Sequence, residues 1–410
     1  MTVEDVVREE LDRWADEART PSGLADRALG GRRRRRTRMI AVIAGAAAAV
    51  VVGALAVPGA LRGGGEQTAI VLAGEGLTTD GPAVALPPSA EVSADPDASP
   101  PSRLVATPEV AMYAYSVWDY EKVSQSRQVF RRTWYLYNPA AAAYEKTPWA
   151  VVDVAAGGHV AVLEEQQASR VGVLSPTGRV RWVELEHPAS TVEWSPDGSR
   201  LLLTGFASNP YEQGVVDEGG PSEIVEHVRT GFTVVDVGSG EARFRALESA
   251  PGQMGVTMLG WSGDGTLIWE PGPTSEQTKL FYDLQGRPHG APPHEGETYQ
   301  EAGLSPGRRS LAVDSPGRGA VVAVKDVASG TVTPLKPVAG HWIEQAVAWS
   351  GDGKLVTWAC EQQGAANCRV SEFRNRLLLV DADGRAAVPL TGFRENSENP
   401  GAWEPLFARR

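Results

Sequence analysis

Six histidines are the first candidates for metal or acid–base chemistry: His159, His187, His227, His289, His294 and His341. None belongs to a His-Glu-x-x-His pair. Only His289 and His294 are close together, in a Pro/Gly-rich loop where simple solvation suffices. Asp381-Ala382-Asp383-Gly384 has the opening spacing of a calcium loop but lacks the downstream Glu, so it reads as a hairpin turn. Gly238-Ser239-Gly240 has neither the Lys nor the strand-to-helix context of a phosphate loop. The chain reads without a serine-hydrolase nucleophile elbow, and no α/β-hydrolase domain follows the strand-rich region. These residue types predict no catalytic centre, no metal and no cofactor. Cys360 and Cys368 are the only cysteines. The turn-like Glu-Gln-Gln-Gly-Ala-Ala-Asn between them lets two antiparallel strand ends approach within the roughly 4.4–6.8 Å that a disulfide needs. A disulfide is expected, and with it an oxidising compartment.

The elements around these residues are short Val/Leu/Trp/Tyr runs from residue 104 onward, punctuated by Gly, Asp and Pro, which is the pattern of many short strands. One motif recurs. Trp194-Ser195-Pro196-Asp197-Gly198, Trp261-Ser262-Gly263-Asp264-Gly265 and Trp349-Ser350-Gly351-Asp352-Gly353 each precede an apolar run, and Leu304-Ser305-Pro306-Gly307 is a degenerate copy. A second hairpin follows each, as at Val234-Val235-Asp236-Val237-Gly238-Ser239-Gly240. Asp-Gly suits tight turns because it tolerates positive φ. Two hairpins per unit make a four-stranded sheet, and a period of about 43–45 residues is that of a propeller blade.

The repeat resembles the TolB-like, WD40-like propeller family over roughly residues 150–392. This implies an all-β propeller and leaves function open. Leu174-Ser175-Pro176-Thr177-Gly178-Arg179-Val180-Arg181-Trp182 resembles the pyrroloquinoline-quinone type instead, but that type usually needs eight blades. Complete units start near Ala150, Ala189, Met254, Thr298 and Glu344. Val110–Trp118, Phe130–Tyr137 and Tyr144–Trp149 supply three further strands, and Trp403-Glu404-Pro405 begins a repeat with nothing after it. The C-terminal strand is therefore expected to join the first three as a sixth blade, with seven blades as the alternative. Closure removes exposed sheet edges. The recurrent tryptophans are expected to pack between blades.

Ahead of the repeats, Met39–Leu61 is uncharged and long enough to cross a bilayer. The arginines at Arg32–Arg36 and Arg38 hold the preceding end in the cytoplasm. A cleaved signal peptide would need a 38-residue charged region, beyond the usual length of about 15–30 for the whole peptide. Residues 1–38 are expected to form a short cytoplasmic helical segment, either an amphipathic helix at the lipid surface or a docking helix for a cytoplasmic protein partner. Residues 62–103, rich in Gly, Pro, Ala and Ser, are expected to be a disordered tether, and 104–410 the propeller. The organisation resembles an actinobacterial-style single-pass membrane protein with the propeller outside the cell membrane. It resembles anti-sigma-type stubs only loosely, because the zinc-binding His-x-x-x-Cys-x-x-Cys is missing.

The net charge is −12, and ten of the arginines fall in residues 1–38. The remainder is still more acidic and is a poor binder of phosphate backbones, so no nucleic acid is expected. In each blade the connection between the second and third strands lies opposite the Ser-Pro-Asp-Gly turns. That connection is longest at Ala207–Arg229, with Tyr211, Glu212, Glu218 and Glu223, and the Cys360–Cys368 segment precedes Arg374. Tyr299, His341 and Trp342 lie in blade-linking segments of the same face. These residues form the expected partner-binding face, suited to a cationic or hydrogen-bond-donating protein or small molecule. The expected function is a non-enzymatic binding or sensing module. Behind it stand an anti-sigma-like regulator and, least favoured, a propeller enzyme.

Overall fold

The computed structural model describes residue 86 and residues 89–410, apart from 176–177, 218–219, 222, 224, 250–255, 273–277, 297–298, 317–320, 352, 362–373 and 395–398. The segment 1–38, the span 39–61 and most of the expected tether lie outside the described residues, as do Glu218 and Cys368. Among the described residues there is no helix, and hence none long and apolar enough to cross a membrane.

Three strands come first: β1 (Val110–Lys122), β2 (Arg127–Asn138) and β3 (Ala143–Lys146). The first complete blade is β4 (Val151–Val154), β5 (Val160–Leu163), β6 (Ala168–Leu174) and β7 (Val180–Ala189). The second opens with β8 (Thr191–Trp194) and β9 (Arg200–Phe206). An insertion then carries β10 (Glu212–Gly214), β11 (Val216–Asp217) and β12 (Gly220–Pro221). The blade resumes with β13 (Arg229–Asp236) and β14 (Ala242–Ala246). The third is β15 (Gly260–Trp261), β16 (Ile268–Pro271), β17 (Lys279–Tyr282) and β18 (Pro288–His289). The fourth is β19 (Tyr299–Leu304), β20 (Ser310–Asp314), β21 (Val322–Asp326) and β22 (Val332–Pro334). The fifth is β23 (His341–Trp349), β24 (Lys354–Glu361), β25 (Asn375–Asp381) and β26 (Ala387–Pro389), and β27 (Trp403–Arg409) ends the chain.

Every neighbouring pair is antiparallel. The last strand joins the first three, in the order β27–β1–β2–β3. The β27–β1 register runs from Val110↔Arg409 to Val117↔Trp403, with a shift between Met112 and Ala114. The fold is thus the expected all-β propeller, with six blades and the C-terminal strand completing the closing blade. The connection into β27 is pinned by buried Arg394, whose Nε donates to Asn375 Oδ1 at 2.7 Å and whose guanidinium lies 3.5 Å over the Trp358 ring. Burial pulls its pKa down to about 10.

The recurrent tryptophans join the blades, as expected. Trp194 packs with Ala161 and Val171 of the blade before it, Trp261 with Leu202 and Phe232, and Trp349 with Ala312 and Val322. Two of the indoles also donate to the preceding blade's inner strand: Trp261 to Glu193 O at 3.1 Å and Trp349 to Gly303 O at 2.8 Å. Inner-strand side chains return the favour. Asp153 Oδ2 accepts the Trp194 N–H at 2.7 Å, and Gln300 Oε1 accepts the Ala346 N–H at 3.1 Å. Truncating such a tryptophan to Ala costs about 3–5 kcal/mol, so these side chains outweigh any single exposed ion pair in holding blade to blade.

The expected tether is shorter than the composition implied. Residues 93–107 lie against the fifth and closing blades. Ser93 bridges Ala106, Asp95 bridges Thr391, and the Arg376 guanidinium donates to Pro96 O at 2.8 Å. Trp403 Nε1 donates to Ser99 Oγ at 2.9 Å. Buried Asp95 organises this clasp, accepting the Ser102 and Arg103 N–H groups at 2.8 and 3.1 Å and an Arg103 guanidinium N–H at 2.9 Å. Composition missed this because one buried carboxylate with several donors outweighs the low hydrophobicity of its surroundings. Burial alone would raise the Asp95 pKa, but the hydrogen bonds from Arg103 and Ser102 prevail and hold it at about 2, below the ordinary 3.8. A depressed folded value means that this carboxylate stabilises the fold above its ordinary pKa and ceases to do so as pH falls through about 2. Asp95→Ala is expected to cost about 1–3 kcal/mol. Thermal unfolding at neutral pH should show the loss, and the gap between variant and wild type should shrink between pH 4 and 2.

Candidate functional site

The six blades present two unlike faces. One carries the turns between first and second strands, and in the second and third blades the serine and aspartate of this turn satisfy each other and the turn backbone. Ser195 Oγ donates to Asp197 Oδ1 at 2.6 Å and accepts the Arg200 N–H at 2.9 Å, while Ser199 N–H donates to Asp197 at 3.1 Å. Ser262, Asp264, Thr266 and Leu267 repeat the pattern. The bond from Ser195, with that from the Ser199 N–H, holds the Asp197 carboxyl down at about 2. Gly303-Leu304-Ser305-Pro306-Gly307 has the letters of a Gly-x-Ser-x-Gly motif. Here it joins two strands, with Ser305 buried and its Oγ accepting the Ser310 N–H at 3.2 Å. A nucleophile elbow needs a helix after the serine, so this serine is a turn residue.

The opposite face is built up on one side. β1 and β2 are longer than the other strands and pair out to Lys122↔Gln128, forming a raised hairpin. The second blade's insertion passes beside the first blade and lays β10 on this hairpin as an extra strand, pairing Glu212↔Val129, Gln213↔Gln128 and Gly214↔Arg127. The Phe130 N–H donates to Tyr211 O at 2.8 Å, and the Val215 N–H to Ser126 O at 2.9 Å. Gly214 is required here, because a Cβ would lie 2.1 Å from Glu223 O.

Side chains complete this strap. The Tyr211 ring stacks on Phe130 at 6.5 Å, and Phe130 stacks on Trp118 at 5.5 Å. The Tyr211 hydroxyl donates to Ser190 O at 2.9 Å, and burial pushes its pKa up to about 12. Arg127 grips two acids of the strap, Glu212 and Glu223. Its Nη1 donates to Glu212 Oε1 at 2.9 Å, its Nε to Glu223 Oε2 at 3.0 Å, and its Nη2 to Glu223 Oε1. Ser126 Oγ adds a bond to Glu223 at 3.0 Å. The Arg127 contacts, and then Ser126, hold the Glu223 carboxyl at about 2. Buried Gln166 ties the first blade in, donating to Phe130 O at 2.6 Å and accepting from Arg131 and Asn209 at 3.0 and 3.2 Å.

The two ends of the strap are held unequally. At its return to the blade, Arg229 and Glu270 form an ion pair of 2.7 Å with both side chains fully buried. Arg229 Nε also donates to Leu247 O, and the Tyr282 hydroxyl donates to Glu270 at 2.6 Å. Removing one member of such a buried pair costs about 3–5 kcal/mol. Arg229 is therefore a core anchor, not the end of a surface loop. At the far end the Arg127, Glu212 and Glu223 side chains are 41, 25 and 35% exposed, so water screens their attraction.

A second group stands on the fifth blade. Cys360 is disulfide-bonded, and the chain's one other cysteine is Cys368, outside the described residues. Trp342 is paired with Cys360 across β23 and β24. His341 stacks on Phe393 at 6.1 Å, and the Arg374 and Arg376 guanidinium carbons lie 4.7 and 4.4 Å from the same ring. The structure thus gathers Tyr211, Glu212 and Glu223 in one place and His341, Trp342 and Arg374 in another, on different blades. Tyr299 opens the inner strand of the fourth blade. The partners missed at the sequence level are Arg127, Phe130, Trp118 and Gln166. Their one signal was the length of the first two strands. Among the described residues no group of three or more His, Cys, Asp or Glu is placed to hold a metal ion.

No protein-family model matches the chain, and no curated protein matches it. Solved structures do. A putative TolB from Agrobacterium tumefaciens is 16% identical, with 65% of this chain and 92% of that one covered and a TM-score of 0.36. An acylaminoacyl peptidase from Pyrococcus horikoshii is 16% identical, covering 68% of this chain and 45% of that one, with a TM-score of 0.38. The periplasmic gluconolactonase of Pseudomonas aeruginosa is 16% identical, covering 75% and 88%, with a TM-score of 0.34. The likeness is one of fold, and the blade count rests on the strand pairing itself.

Arg127→Ala is expected to free the strap while leaving the ring intact. Limited proteolysis within 207–228 should accelerate, with the global melting temperature moving by no more than about 2 °C. The folded Glu223 pKa of about 2 lies below the ordinary 4.5. Its hold on the strap is therefore present above pH 4.5 and lost as pH falls through about 2. Hydrogen exchange of the Phe130 and Val215 amides across that window would show the loss in wild type and not in the variant.

Proposed function

We propose that this chain is a membrane-anchored, extracytoplasmic binding module that recognises its partner on the face carrying the strap. The observation that carries the reading is the contrast between the faces. The turns of one face at Ser195–Arg200 and Ser262–Leu267 consume their own polar groups, while the other face is elevated by a hairpin and a strap that an insertion in the second blade supplies. Rigid scaffolds bearing variable connections are where recognition usually resides. A strap already ordered by β10 spares a partner part of the ordering entropy of binding. The disulfide at Cys360 fits an oxidising compartment, in keeping with the arginine-flanked apolar run of residues 39–61. Binding rather than catalysis is favoured because Glu212 and Glu223 are spent on Arg127 and the turn serines Ser195 and Ser262 on their own backbone.

Two measurements test this. Protease added to intact spheroplasts should degrade residues 104–410 and spare 1–38, and a protected propeller would refute the orientation. A photo-crosslinking residue at Val123 or Val228, both exposed on the strap side, should capture a defined adduct in native membranes. The same residue at Ser239 or Gln285, in turns of the other face, should capture none. The reverse pattern would place the site on the wrong face.

A further inference from the structure

The strap meets the ring in the way a peptide ligand meets a strand-addition site. It contributes an extended segment that pairs with a sheet edge through main-chain bonds, one aromatic ring that stacks in a side-chain slot, and carboxylates that meet a single cation. The receiving surface belongs mainly to the closing blade, with Ser190 O beside it accepting the Tyr211 hydroxyl. It consists of the upper edge of β2, the Trp118–Phe130 stack and Arg127. The strap is covalently joined to a different blade and reaches this surface only by crossing the first one. Its base is locked by the buried Arg229–Glu270 pair, whereas beyond it the strap is held by part-exposed ion pairs, three residue pairs of sheet and the ring and hydroxyl of Tyr211. The tip can therefore lift while the base and the ring stay folded, because local opening follows the weakest contacts.

We propose that the edge of β2 at Ser126–Phe130 is a binding site for an extended peptide in which an aromatic residue is followed by a carboxylate, and that the strap is its built-in occupant. This rests on the face assignment made above and names the partner's chemistry. Tyr211 and Glu212 define the pattern: the ring stacks against Phe130 and the carboxylate meets Arg127. An external peptide competes with an occupant at high effective concentration. The closed form thus sets a threshold that only a better-matched or more abundant ligand crosses.

The test uses the full-length chain in detergent with residues 207–228 replaced by a short Gly-Ser hairpin, which leaves Arg229 in place. The probe is a synthetic peptide of residues 207–228, titrated by tryptophan fluorescence or calorimetry. Saturable binding to this variant is expected, at least about tenfold weaker when Arg127→Ala or Phe130→Ala is added and equally weak for a scrambled peptide. Wild type, with its site occupied, should bind far less. Should the replacement fail to fold, the triple variant Tyr211→Ala/Glu212→Ala/Glu223→Ala keeps the chain length and loosens the strap, and it should bind the peptide likewise. A folded variant of either kind that shows no saturable binding up to about 1 mM peptide, or binding indifferent to Arg127→Ala, overturns the proposal. Crosslinks captured at Val123 or Val228 despite that outcome would retain the binding face and reject only strand addition.

Discussion

The ladder between β1 and β27 is the constraint on which the rest depends. The ring has no partial form in which its closing sheet is complete, because β1–β3 need the strand β27 from the other end of the chain. Val110 pairs with Arg409 across nearly the whole length of the folded domain. Closing so long a loop costs conformational entropy that local hairpins do not incur. The inner blades can form hairpins locally, but the seam must wait until the chain is complete. Such non-local pairing makes for slow folding. It also abolishes the two open edges that would otherwise recruit other chains.

Around that seam the blades are joined by one repeated device. An indole fills the gap to the preceding blade and gives its N–H to that blade's inner strand, while a polar side chain from the inner strand accepts a backbone N–H of the next. The device combines burial with polar satisfaction, so a buried tryptophan brings no unpaired donor where the bond is made. It fixes blade spacing residue by residue and leaves the loops of either face free to vary.

Blade architecture was legible in the sequence because its signals are local. Trp-Ser-Pro-Asp-Gly encodes the turn, its hydrogen bonds and the inter-blade tryptophan within five residues, and even the closure could be read from the orphan repeat start at Trp403. The strap was half legible. Its length and acidity stood out, but its acids were taken as free for a partner. Arg127 lies 85 residues from Glu212 and 96 from Glu223, and nothing local marks it as their counter-ion. Residues 93–103 were read as tether for a similar reason. Pro, Ser and Ala argue for disorder by composition, and the opposing evidence is a single carboxylate, Asp95, whose partners become visible only once the chain turns back on itself. Long-range polar pairing leaves no period in a sequence, whereas hairpins do.

The position of the clasp has a mechanical consequence. Residues 93–107 stand between everything N-terminal to them and β1, so tension applied from that side reaches the clasp before the seam. Its bonds, from Asp95 to Ser102 and Arg103 and from Arg376 to Pro96, share the load with the bridges to Ala106 and Thr391. They can break and re-form without opening any blade. Under such a load the clasp, having the fewer backbone pairs, is expected to yield before the seam.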